Sequence, residues 1–129
     1  MAGTPTKKTT IDDYYSIVKS DDPIKLKLTI GGFAQEAISR VKIGGINYGP
    51  DQSGSFEMEL GSGEELIGKI LKIKTLVTDA NGNPNDNTSK LYFVLTGGNK
   101  PYERTLQSTV DTDGATEDYS IKIQFYEAR

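Results

Sequence analysis

The chain has 129 residues, with no Cys, no His and no Trp, and its 15 Lys+Arg against 18 Asp+Glu leave a formal charge of −3. That length fits one domain able to bury a core without covalent staples. The missing residue types exclude an imidazole base, a Ser-His-Asp triad, a thiolate nucleophile, a disulfide, and zinc or Fe–S sites built on His or Cys.

The first ten residues are polar and Thr-rich, which predicts a mobile N-terminal arm. They carry two Lys but no apolar stretch after them, so no signal peptide is expected and the cytoplasm is the default compartment. Residues Ile11, Tyr14, Tyr15 and Val18 recur at helical spacing, with Thr10 as N-cap and Asp12 and Asp13 in the first turn. A helix of two turns cannot sustain itself, so this segment is expected to pack on its own domain or on a neighbour. Residues 1–22 are thus read as an arm with a short helix, and 23–129 as the folded domain.

From Pro23 onward the period changes to two. Ile24, Leu26, Leu28 and Ile30 alternate with Lys25, Lys27 and Thr29, the mark of a half-buried strand. Gly31-Gly32 is read as a turn, 33–43 as a second strand that Gly44-Gly45 bulges or bends, and 56–60 as a third. The segment 66–78 is the longest candidate, with Leu71, Ile73, Thr75 and Val77 on one face and Ile70, Lys72, Lys74 and Leu76 on the other. A polar loop follows from Asp79, then an apolar run 91–95 suited to a central strand, then 102–110 and 119–125. The five Pro fall outside the interiors of these strands, where a missing N–H would break a ladder. Seven to eight strands separated by turn signals predict an all-β chain: one antiparallel β-sandwich, immunoglobulin-like or C2-like in architecture. Architecture of that kind carries no function by itself.

Two motifs come close to chemistry. Gly63-Glu-Glu-Leu-Ile-Gly68-Lys69 satisfies the front of a phosphate-binding loop, G-x-x-x-x-G-K. It then offers Ile70 instead of the metal-binding hydroxyl, and two Glu where phosphate would approach, so it reads as a turn entering a strand. The loop beginning Asp79-x-Asn81-x-Asn83 has the oxygen spacing of a calcium site, but Pro84 and Lys90 stand where an EF-hand needs Gly and Glu. A looser calcium site would gather Asp79, Asp86, Asp111, Asp113 and Asp118 from loops 79–90 and 111–118. The simpler reading is that Asp and Asn are favoured turn formers.

Charge is uneven. Residues 111–129 hold five acids and two bases, and 19–42 hold five bases and three acids. The near-neutral total argues against a nucleic-acid partner, and no stretch nears the roughly 18 apolar residues of a membrane span. No constellation replaces the missing His and Cys, so the chain is not read as an enzyme and no cofactor is expected. The leading expectation is a structural or accessory subunit acting through protein–protein contacts or self-assembly, with Ile11, Tyr14, Tyr15, Ile17 and Val18 as the docking residues. Lys25 and Lys27 read as protection of an edge strand. The alternative is a ligand module for calcium or carbohydrate, the latter on Tyr48 and Tyr102.

Overall fold

The computed structural model describes residues 6–19, 21–32, 35–79, 88–98, 100–109 and 116–127. Alternation of apolar and polar residues at period two sets almost all of it in strands. In chain order these are β1 (Thr6–Ile17), β2 (Pro23–Gly32), β3 (Gln35–Ile43), β4 (Ile46–Asn47), β5 (Gln52–Ser53), β6 (Phe56–Ser62), β7 (Ile70–Asp79), β8 (Thr88–Thr96), β9 (Tyr102–Thr109) and β10 (Thr116–Glu127). A single helical turn, α1 (Gly63–Leu66), separates β6 from β7. The strands form two sheets. One runs β1-β10-β7-β3-β4, with β5 also on β3; the other runs β6-β2-β8-β9.

The inward faces of both sheets meet in one apolar cluster. β2 contributes Ile24, Leu26 and Leu28, and β8 contributes Leu91, Phe93 and Leu95. Opposite them lie Leu71, Ile73 and Val77 of β7 and Tyr119, Ile121, Ile123 and Phe125 of β10. Each such aliphatic side chain, removed from water, contributes about 1.5–3 kcal/mol before conformational entropy is subtracted. The β7 faces are those the alternation predicts. The polar member of its buried set, Thr75, pairs its hydroxyl with Ser39 directly across on β3 at 2.7 Å. That bond answers the cost of taking two hydroxyls out of water.

Five expectations change. The sheets are not wholly antiparallel, because β1 pairs parallel with β10, and ten strands are described where seven to eight were expected. Residues 11–18 are not a helix: β1 is a strand lying parallel to β10, from Thr6 opposite Thr116 to Ile17 opposite Glu127. It therefore belongs to the folded domain and is not a separate arm over its described length. Gly31-Gly32 does not turn the chain but continues β2, in register with Lys90 and Ser89. Gly44-Gly45 is neither bulge nor bend: both residues have positive φ, 61° and 84°, and close a tight hairpin between Ile43 and Ile46. Two successive positive-φ positions suit the twist of paired strands and favour glycine strongly. Finally, β2 is flanked by β6 and β8, so Lys25 and Lys27 guard no edge and are the solvent-facing half of a central strand.

At α1, Ser62 accepts from the Glu65 amide and Glu65 accepts from the Ser62 amide, both at 3.2 Å. This reciprocal cap consumes the amides a phosphate would need, so the G-x-x-x-x-G-K match is a capped turn leading into β7.

Candidate functional site

The most distinctive surface lies along β1, which ends its sheet. Its backbone pairs with β10 on one side and with no described strand on the other. Alternation divides its side chains. Tyr15 and Ile17 point into the core, 4% and 0% exposed, while Tyr14 and Val18 remain 65% and 48% exposed. Ile11 is partly buried against the core.

Tyr15 anchors the strand. Its ring meets Tyr102 and Phe125 edge-on at 6.0 and 6.3 Å, and Phe93 continues the cluster against Tyr102 at 5.8 Å. Its hydroxyl accepts from the Gly98 amide at 3.1 Å and donates to the Leu95 carbonyl at 3.4 Å, both in or beside the β8–β9 connection. β1 is thus tied to both sheets. Burial pushes the Tyr15 phenol above its ordinary 10.0, and the Gly98 amide opposes that shift.

One step back along β1, Asp13 also faces inward, and there a carboxylate needs partners. Tyr102 donates its hydroxyl to Asp13 Oδ2 at 2.8 Å, and Arg104 donates Nη2 to the same oxygen at 3.1 Å. Arg104 Nε donates to the Tyr102 hydroxyl at 3.1 Å, and the Tyr14 amide donates to Asp13 Oδ1 at 2.8 Å. The Tyr14 amide is the largest influence holding the Asp13 carboxyl below its usual 3.8, followed by the Tyr102 hydroxyl and then Arg104. Burial raises the Tyr102 phenol. The cluster closes the side of the molecule where the edge strands β1 and β9 face each other.

On the outer face, Tyr14 meets Tyr126 of β10 edge-on at 6.4 Å, and Tyr126 is 47% exposed. Tyr14, Tyr126 and Val18 leave apolar surface beside the open backbone edge. Of the five predicted docking residues, Tyr14 and Val18 are on this surface, whereas Tyr15 and Ile17 are consumed by the core. Tyr126, Tyr102 and Arg104 complete the region, and their only sequence signal is a place on strands far along the chain.

Among the predicted calcium ligands, Asp86, Asp111 and Asp113 and the side chain of Asp79 lie outside the described residues. Asp118 is described; it is buried, and its Oδ2 pairs with Lys74 Nζ at 3.6 Å. Tyr48 and Tyr102 share no platform. The Tyr48 hydroxyl donates to the Glu59 carbonyl on β6, at the opposite edge of the sheet from β9. Comparison of the chain with family models, with curated proteins and with solved structures returns no match.

Proposed function

We propose that the protein is a non-catalytic β-sandwich module for binding or assembly, a structural or accessory subunit that works through protein–protein contacts at the β1 edge. The observation that carries this reading is a 12-residue strand with no described strand along its second backbone edge, flanked by exposed Tyr14, Val18 and Tyr126. An open edge is a template for a strand from a partner, and the backbone bonds of such an addition are strong and undemanding in sequence. Exposed aromatic side chains beside it supply contact area at low entropic cost. Asp13 limits the opening: an inward charge at the middle of the edge disfavours indiscriminate pairing and leaves the two ends of the strand to accept a partner.

Light scattering on the eluting protein tests self-assembly. The expected result is a concentration-dependent dimer or larger species that Tyr14→Ser with Val18→Ser returns to monomer, at unchanged circular dichroism. A chain that stays monomeric to millimolar concentration and retains no partner through this edge overturns the proposal.

A second reading, a calcium or carbohydrate module on loops 79–90 and 111–118, draws support from one register: Thr78 lies opposite Thr116, so both loops leave β7 and β10 at the same end of their sheet. A melt that is identical in millimolar Ca²⁺ and in EDTA removes the calcium form. The immunoglobulin-like and C2-like labels remain architectural analogies. Immunoglobulin constant domains set the first strand beside the second, whereas here β1 lies beside β10.

A further inference from the structure

The outer face of the β1-β10-β7-β3 sheet carries a charge pattern visible only when the registers are combined. Lys42, Lys72 and Lys122 stand directly opposite one another across β3, β7 and β10. Two residues along, Arg40 and Lys74 are opposite each other, and that row continues through Ser120 to Thr10. Neighbouring strands are about 4.8 Å apart and the rows about 7 Å apart, so five cations occupy one small face.

Compensation is partial. Arg40 pairs with Asp51 at 3.2 Å and Lys74 with Asp118 at 3.6 Å. The lysine row itself ends on β1 at Asp12, directly opposite Lys122, but among the described residues no carboxylate lies within 4 Å of the Lys42, Lys72 or Lys122 ammonium. Like charges directly opposite across strands oppose pairing, so the fold carries an electrostatic cost here that an external anion would relieve. The side chains surround a depression of about 490 Å³ that Thr10 and Ser120 also line. On the same face, past Asp12 and Lys122, stand two exposed rings: Tyr14 one row on, opposite Gln124, and Tyr126 two rows on, opposite Ser16.

We propose that this face binds single-stranded nucleic acid, its phosphates along the Lys42–Lys72–Lys122 row and a base against Tyr14 or Tyr126. A straight row of evenly spaced cations suits a polymer with evenly spaced anions. Hydroxyls such as those of Thr10 and Ser120 are ordinary donors to phosphate oxygens. Exposed aromatic rings beside a basic track are the platform that unpaired bases stack on, whatever their sequence. A duplex is disfavoured, because a flat sheet face has no helix or two-stranded ribbon to enter the major groove. An acidic polypeptide would use the lysines but has no need of the tyrosine rings. The net charge of −3 is no obstacle, because it averages this face with an acidic remainder. It does make the binding short-ranged and salt-sensitive. The lysine row takes no part in pairing at the β1 edge, so lysine substitutions separate this site from the assembly surface.

The experiment is fluorescence polarisation of a labelled oligothymidine with the full chain, repeated over a salt series. Three phosphate contacts predict a log–log salt slope of about −2. Lys72→Ala and Lys122→Ala should each flatten that slope by about 0.7. Lys72 lies between two lysines, so Lys72→Ala should melt at or above the temperature of the unsubstituted chain, whereas Lys122→Ala, which also loses the cation opposite Asp12, should melt close to it. Tyr14→Ala combined with Tyr126→Ala should weaken binding about fivefold or more at an unchanged slope. No polarisation change at low salt overturns the proposal. So does equal competition by polyglutamate with the double tyrosine variant silent, which would make the face a site for acidic protein. Preference for duplex over single strand also overturns it.

Discussion

Asp13 shows how a single residue decides a strand's fate. Placed among Ile11, Tyr15 and Ile17, it interrupts the apolar alternation and leaves a spacing that reads as helical. The compensation comes from Tyr102 and Arg104, roughly 90 residues along the chain, where no local pattern records it. The same cluster makes a pH prediction. The Asp13 carboxyl is held below its ordinary 3.8 by the Tyr14 amide, the Tyr102 hydroxyl and Arg104. A depressed folded-state pKa gives stability that is complete above the unfolded value and is lost as pH falls through the folded one. Asp13→Asn should therefore be less stable than the unsubstituted chain at about pH 6, with the gap closing below about pH 4. Urea titrations across that range check it. A gap of constant size would mean that the hydrogen bonds are made equally well by the uncharged amide.

At the scale of elements, β2 and β7 were legible from period-two alternation: one face of β2 is wholly apolar, and the buried face of β7 departs from that only at Thr75. Their boundaries and the hairpin at Gly44-Gly45 needed backbone angles. The position of a strand within its sheet was not legible at all. Lys25 and Lys27 alternate on β2 as they would on an edge strand, and only the pairing with β6 and β8 makes β2 central. The docking of β1 depends on a loop just as remote in sequence. A Cβ added to Gly98 would lie 2.7 Å from the Tyr15 ring and hydroxyl and 2.8 Å from the Ser16 carbonyl. Real contacts are not that close, and the Ser16 side is backbone, which yields little. Gly98→Ala should cost about 1–3 kcal/mol through overpacking. Amide hydrogen exchange should show β1 losing protection before β2 or β8 does. Uniform loss of protection would place the damage in the core and not in the β1 anchor.

For the whole molecule, the parallel β1–β10 ladder joins residues about 110 apart in sequence. Closing so long a loop is entropically costly and is repaid only when both sheets are nearly formed. β1 is thus expected to dock late in folding. Ile17 is fully buried at its end, so Ile17→Ala should cost about 2–5 kcal/mol. Most of that should appear as faster unfolding, with the folding rate little changed. Stopped-flow measurements in urea separate the two limbs; a folding limb that slows by the full amount would put β1 in the nucleus. Removing residues 1–22 outright takes Tyr15 and Ile17 out of the core and disturbs folding along with any partner contact. Outward-facing substitutions at Tyr14 and Val18 avoid that confusion.

The amino-acid sequence alone determined the class of structure and the chemistry it lacks. Period-two alternation specifies strands with one buried face, Gly and Pro punctuate them, and no His or Cys is present to build the commonest catalytic and metal sites. Tertiary structure decided what those strands present. Which strand is an edge, which carboxylate meets which guanidinium, and which lysines align in a row all depend on pairing between distant segments. The formal charge of −3 illustrates the difference. As a sum it signals a near-neutral chain, but the registers of β3, β7 and β10 gather five cations on one face against only Asp12, Asp51 and Asp118 among the described acids beside them, because strand pairing sets side chains beside one another irrespective of their separation in sequence.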